Sequence, residues 1–274
     1  MLKCCIKKMM VSVLLLVNLC FLSAKEVEYI HPFRLNTLNE SILIGTGTLL
    51  TGSAFVCDKF LKIKNNEYNP EEWPKYDIPA LDQIFMQPYN NALSLVSYGT
   101  LALSLASPAI FVTLPKTEYL GIGMMYAETM LWAYGVKEWA KLLVYRARPY
   151  MYYENYPEDK LTDGDWNCSM PSGHTTGAFA GAAFVSYLFN QYYPDSKWRY
   201  AVTGGSFGLA ALTGVFRIWS GSHYFSDVLA GALIGTIFGL AVPYMHTELY
   251  YSKFKKKGSS VELTPMGFNL KIQL

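Results

Sequence analysis

Lys141 is followed, after six residues, by Arg148-Pro149. Then come Pro171-Ser172-Gly173-His174, and after them Arg217, His223 and Asp227, with five and three residues between them. If the chain is helical across the first pattern, Lys141 and Arg148 share a face about 10 Å apart along the axis. Pro149 disfavours helix at the residue before it, so Arg148 is expected at a helix end. A lysine and an arginine converging there can hold a phosphate, the arginine through two parallel hydrogen bonds. The plainer reading is a pair of cations snorkelling at a membrane boundary, a description that suits Arg146 best.

The second pattern precedes an apolar helix expected from about Thr175. Free backbone N–H groups and the positive end of the helix dipole collect at such a start and attract anions. Gly173 lets a ligand approach the backbone, Ser172 offers a hydroxyl, and His174 is placed to give a proton to a leaving oxygen. Equally, Ser172 could simply cap the helix after a Pro-Gly turn. In the third pattern, His223 and Asp227 stand four residues apart, within hydrogen-bonding reach in a helical turn. A carboxylate on one ring nitrogen fixes the tautomer and leaves the other nitrogen as a nucleophile. Arg217 adds a cation, while a His–Asp pair that only caps a helix is the plain alternative. Only four histidines are present, His31 and His246 lie outside these patterns, and no carboxylate cluster typical of a magnesium or zinc phosphatase is seen. No metal or cofactor is therefore expected.

Taken together, the patterns supply the separate needs of one reaction. They resemble the type 2 phosphatidic acid phosphatase superfamily, in its membrane lipid phosphatase branch, whose pattern is Lys-x6-Arg-Pro, Pro-Ser-Gly-His and Ser-Arg-x5-His-x3-Asp. The likeness covers roughly Lys141–Asp227 with the helices beside it, and Phe216 stands where the family has serine. It implies an all-α, membrane-embedded bundle of five or six long helices. It also implies that His223 attacks phosphorus to form a phosphohistidine, Asp227 orients it, and His174 protonates the leaving group and then helps activate water. Lys141, Arg148, Arg217, Ser172 and the Gly173 N–H would hold the phosphoryl oxygens. Phe216 removes a hydroxyl that the family uses as a supporting phosphate contact.

The elements that must position these groups are apolar. Charged residues make up 16% of the 274, against roughly a quarter in soluble domains, and aromatics 15%. A net charge of +2 gives no reason to expect nucleic acid. Apolar stretches rich in small residues run over about 41–56, 92–114, 119–144, 175–189, 200–216 and 228–244. Lys3, Lys7 and Lys8 precede an apolar run over 9–22 ending in Ser23-Ala24, which reads as an export signal over 1–24 or an uncleaved anchor. The expected organisation continues with an N-terminal helix and polar segment over 25–91, a helical core over 92–250 and a basic tail over 251–274.

Lys253, Lys255, Lys256 and Lys257 suit the cytoplasmic side. Counting back, the loop after Arg148 and the His223 segment then face the exterior, and a cleaved signal would leave 41–56 as an external or re-entrant helix. Cys57 and Cys168 are expected to be two separate small apolar residues rather than a bridge.

These readings point to a phosphatase of lipid phosphates in a cell membrane, a bacterial inner membrane above all, with its site facing the periplasm or exterior. Candidate substrates are undecaprenyl diphosphate, phosphatidylglycerol phosphate, phosphatidic acid and lipid A, and nothing in the sequence fixes the oligomeric state. The rivals are a soluble exported acid phosphatase or vanadate-dependent haloperoxidase, and a non-catalytic membrane lipid-binding protein.

Overall fold

The computed structural model describes residues 32–61, 78–154, 156–162, 164–247, 250, 260–264 and 267–271, so residues 1–24 and most of the polar segment lie outside the described residues. The described helices are α1 (Thr37–Lys59), α2 (Ala80–Phe85), α3 (Asn91–Ala106, continued as a 3-10 helix Ser107–Thr113), α4 (Lys116–Leu143), α5 (Gly173–Tyr192), α6 (Trp198–Trp219) and α7 (Phe225–Met245). Short helical turns at Pro149–Tyr152, Asp159–Thr162 and Asp165–Asn167 lie between α4 and α5. In the tail, β1 (Ser260–Thr264) and β2 (Gly267–Lys271) pair antiparallel with Glu262 opposite Asn269. The bundle is thus all-α, with six long helices and a small hairpin in the tail.

Four of the six long helices start where the sequence supplies a cap or a proline. Asn36 and Asn90 accept backbone N–H bonds at the starts of α1 and α3, Pro115 precedes α4, and Ser172 accepts the Thr175 N–H at the start of α5. α5 is the central helix, with α3, α4, α6 and α7 packed around it and α1 against α4. Its residues from Thr175 to Phe189 are almost all buried, many of them Gly or Ala. Gly231 and Gly239 on α7 let the two backbones meet: a Cβ at Gly239 would stand 2.6 Å from the Ala180 carbonyl oxygen.

Outside, the polarity is inverted relative to a water-soluble bundle. Leu49, Leu95, Leu103, Leu120 and Leu233 are exposed, while Ser97, Glu128, Thr129 and Thr213 are buried. Residues 37–59, 91–113, 198–219 and 225–245 form four helices long and apolar enough to cross a membrane. α1 is one of them and runs parallel to α4: Trp132 Nε1 donates to the Leu43 carbonyl and Trp139 Nε1 to the Leu50 carbonyl, each at 3.0 Å. The apolar stretch 41–56 thus lies within a 23-residue helix packed along α4. A further consequence is topological. Phe33 bridges Thr247, and the Arg34 N–H donates to the His246 carbonyl at 2.7 Å, so the chain enters α1 and leaves α7 at the same end of the bundle. No disulfide joins Cys57 and Cys168.

Candidate active site

The opposite end of the bundle gathers the three patterns. The C-terminus of α4 brings Lys141, the N-terminus of α5 brings Ser172, Gly173 and His174, and the C-terminus of α6 brings Arg217. The turn into α7 brings His223 and Asp227. The geometry of the first pattern differs from the helical expectation. α4 ends at Leu143, and Val144 and Arg148 are extended, so Lys141 and Arg148 do not share a helix face. Instead, residues 146–148 run beside 166–169: the Arg146 N–H donates to Asn167, the Arg148 N–H to Trp166 and the Ser169 N–H to Arg146. This pairing delivers Arg148 to the pocket. Half-buried Lys141 reaches the same field, with Arg148, Lys137 and Asp165 as its charged neighbours.

Arg148 is 3% exposed and fully engaged. Its Nε donates to the Asp165 carbonyl at 2.8 Å, its Nη2 to Asp165 Oδ1 at 2.6 Å, and its Nη1 to the Ser222 carbonyl at 2.8 Å and to His223 Nε2 at 3.0 Å. A guanidinium can only donate, so His223 Nε2 must carry a lone pair, and the neutral ring holds its proton on Nδ1. That nitrogen faces Asp227 Oδ2 at 3.6 Å, an electrostatic contact rather than the hydrogen bond expected from the spacing. Asp227 is occupied elsewhere: Oδ2 accepts from Ser169 Oγ at 2.5 Å and from the Tyr224 N–H at 2.9 Å, and Oδ1 from Arg146 at 2.6 Å.

Burial, then the charges of Arg148, Arg217, Lys141 and His174, hold the His223 pKa well below its usual 6.5. Burial would raise the Asp165 carboxyl, but Arg148 and Lys141 outweigh it and keep the group ionised below the usual carboxylate range. Arg148 shows the converse balance: burial opposes its charge, and Asp165 more than restores it.

His174 lies edge-on to the Tyr98 ring, centroids 4.3 Å apart, and its Nε2 is buried with no hydrogen-bond partner. Ser172 caps α5 and accepts from Thr175 N at 3.4 Å and Thr175 Oγ1 at 2.9 Å, which leaves its O–H to donate. Gly173 is crowded by Lys137: a Cβ there would stand 3.3 Å from the Lys137 Cδ. Arg217 donates to Ser94 Oγ at 3.2 Å and Ser97 Oγ at 3.3 Å, both on α3, and its Nε is buried without a partner. Phe216 turns away to pack edge-on against Trp219. Two serine hydroxyls of α3 thus hold the arginine from another helix.

Arg146 requires a correction. It is not a snorkelling cation but the hub of a buried network, bonded at 2.6 Å to both Asp82 and Asp227, at 2.7 Å to Ser226, and stacked over Tyr224. Asp82, 1% exposed on α2, also accepts from the Ser226 N–H and hydroxyl. The polar stretch around Asp82 therefore braces the site. Sequence reading missed Asp82, Ser94, Ser97, Tyr98 and Ser169 and did not single out Asp165 from its acidic loop; the Arg-x-Arg-Pro alternation was the one local sign that residues 146 and 148 act on a common side.

Fold and site together define a membrane-embedded helical protein with a cationic, two-histidine pocket at one end. Residues 122–251 match the family model of the PAP2 superfamily. Over 93 residues the chain is 38% identical to the bacitracin transport permease protein BcrC of Bacillus licheniformis, a match covering 34% of this chain and 41% of that one. Over 110 residues it is 36% identical to the lipid A 1-phosphatase of Porphyromonas gingivalis, covering 40% of this chain and 21% of that one. In these matches the chain spans less than half the length of either relative. The crystal structure of a transmembrane PAP2-type phosphatidylglycerolphosphate phosphatase from Bacillus subtilis aligns with a TM-score of 0.43 at 19% identity, over 79% of this chain and 98% of that one.

Proposed function

We propose that the chain is a phosphatase of membrane lipid phosphates, acting on a monoester or diphosphate through His223 without a metal in the pocket. The observation that carries this is the His223 ring, whose Nε2 lone pair is marked by Arg148 and whose surroundings are cations. In the first step Nε2 bonds to phosphorus while the ester or anhydride P–O bond breaks, and His174, charged as an imidazolium once the phosphate anion is bound, gives that proton to the departing oxygen. Arg148 transfers its Nη1 hydrogen bond from His223 to a phosphoryl oxygen. In the second step His174 takes a proton from water, the water oxygen bonds to phosphorus, and the P–N bond breaks. Lys141, Arg148, Arg217, the Ser172 O–H and the Gly173 N–H hold the three equatorial oxygens, where most of the rate enhancement arises. Asp227 holds the Nδ1 proton by charge, itself fixed by Arg146 and Ser169.

Lipid substrates follow from placement. The site lies at the end of helices whose outer faces are apolar, so an acyl or prenyl tail can stay in the bilayer while its phosphate meets the cations. Undecaprenyl diphosphate, phosphatidylglycerol phosphate, phosphatidic acid and lipid A all fit this chemistry. Residues 92–250 form the proposed catalytic core. We place the pocket on the periplasmic face, with the basic tail and Lys197 and Arg199 inside. Because α1 and α7 meet at one end, that orientation puts residue 33 inside as well.

The test is phosphate release by the full-length protein in detergent from a panel of lipid monophosphates and diphosphates. Release from at least one, inhibited by vanadate and with an initial rate unchanged by EDTA well below the melting temperature, supports the reading. No release from any member overturns it.

A further inference from the structure

The far end of the bundle holds a second polar cluster that the phosphatase chemistry does not use. Glu40 on α1, Glu128 on α4 and His246 just after α7 are all buried, and their ligand atoms lie within 4.8 Å of one another. Glu128 is 0% exposed, and neither of its carboxylate oxygens has a hydrogen-bond partner. Its Oε2 nonetheless sits 3.2 Å from His246 Nε2, while Glu40 Oε1 and Oε2 sit 3.1 and 3.2 Å from the same nitrogen. One ring N–H cannot point at both residues, so Glu128 is in charge contact without a directed bond. The Asn36 N–H donates to Glu40 Oε1 at 3.3 Å. His246 Nδ1 lies 2.8 Å from the Val242 carbonyl oxygen, and because a carbonyl only accepts, Nδ1 carries a proton. Such an orienting bond is the usual outer support of a metal-bound histidine, since it presents Nε2 to the ion.

Two ionised carboxylates aimed at that nitrogen carry more negative charge than one imidazolium offsets, and a bound cation or a second proton must supply the rest. A single proton on Nε2 leaves a net negative charge inside the bundle, where it is costly. A divalent ion neutralises both carboxylates and gives the idle Glu128 oxygens a partner. Ligands about 2.1 Å from a shared ion and near right angles stand about 3 Å apart, which matches the spacing around Nε2. We propose that Glu40, Glu128 and His246 bind a divalent first-row transition ion of the zinc or manganese kind, tying α1, α4 and α7 together. One imidazole with two carboxylates suits such ions better than magnesium or calcium, which prefer all-oxygen shells. At 1.5 Å per residue the site lies roughly 27 Å along α7 from Asp227, so the ion acts on the scaffold and not on the reacting phosphate.

The test uses the full-length chain purified in detergent without added metal. Elemental analysis is expected to find close to one zinc or manganese ion per chain. Stripping with a chelator should lower the melting temperature, and zinc or manganese should restore it. Cobalt reloading should give visible d–d bands. Glu128→Gln should lower metal content at least about tenfold. If that variant fails to fold, stripping and reloading the wild type decides the matter. The proposal is overturned if the wild-type chain holds no metal and neither ion raises its melting temperature, which leaves a protonated ion cluster, or if folded Glu128→Gln binds metal as the wild type does. None of these readouts involves turnover, so they stand or fall apart from the phosphatase reading.

Discussion

His223 and His246 stand at opposite ends of the same helix, and the bundle treats them in opposite ways. His223 is ringed by Arg148, Arg217 and Lys141; His246 is gripped by Glu40 and Glu128. The first environment keeps an imidazole neutral, with a lone pair beside surplus positive charge, which is a place for an anion. The second surrounds an imidazole with surplus negative charge, which is a place for a cation. Burial alone decides neither outcome, because both rings are almost fully enclosed. The charges that the neighbouring helices carry decide it.

The hardest test of the contrast removes one ring. His223→Ala should lower kcat on the order of 10^4-fold while leaving the melting temperature near that of the wild type. Retained turnover would move the nucleophile elsewhere. His246→Asn should do the reverse, with a lower melting temperature and little change in initial rate at low temperature, because the far cluster lies outside the pocket.

The next test strikes the brace behind His223. Asp82→Asn leaves the Arg146 guanidinium facing one carboxylate where it now has two, and breaking a buried pair costs roughly 3–5 kcal/mol. Denaturant unfolding should show that loss. A change below about 1 kcal/mol would mean that Arg146 re-pairs with solvent, as a surface arginine does.

The depressed His223 pKa has a signed consequence. A folded-state value below the unfolded 6.5 means that protonation favours the unfolded chain, so this residue costs stability as pH falls from about 6.5 toward its folded value. The lone pair stays available throughout that window. After allowance for the substrate's own ionisation near pH 6, kcat/KM should show no acid limb at 6.5 from this group. A limb there, lost on changing Asp227 and not otherwise, would place the imidazolium in the resting site.

How far the sequence reached depends on the distance over which each feature is decided. Helix number and the apolar stretches rich in small residues are local patterns, and they were legible. The motif residues that the fold gathers at one end could be picked out as well, because each motif marks a helix end, and helix N-termini attract anions. What escaped was pairing between segments far apart. Asp82 meets Arg146 across 64 positions and Ser94 meets Arg217 across 123, and no spacing rule links them. Glu40 and His246 are 206 positions apart, so His246 was set aside as outside the motifs. The chain also leaves α4 at Leu143, so seven-residue spacing gave the wrong local geometry for Lys141 and Arg148 although both reach one field.

The smallest effect expected is at Phe216, where the family has serine. Arg217 already takes hydroxyl contacts from Ser94 and Ser97, while the Phe216 ring rests on Trp219. Phe216→Ser should therefore change kcat/KM by no more than about threefold, since it adds a hydroxyl acceptor near Arg217 where two exist and removes one aromatic contact worth about 0.5–1.5 kcal/mol. The double change Ser94→Ala with Ser97→Ala should cost more, about tenfold, because it leaves a buried guanidinium short of two acceptors. If Phe216→Ser then rescues that double variant, a hydroxyl at 216 and the pair on α3 are alternative supports for one arginine. If it does not, α3 orients Arg217 in a way that position 216 cannot reproduce.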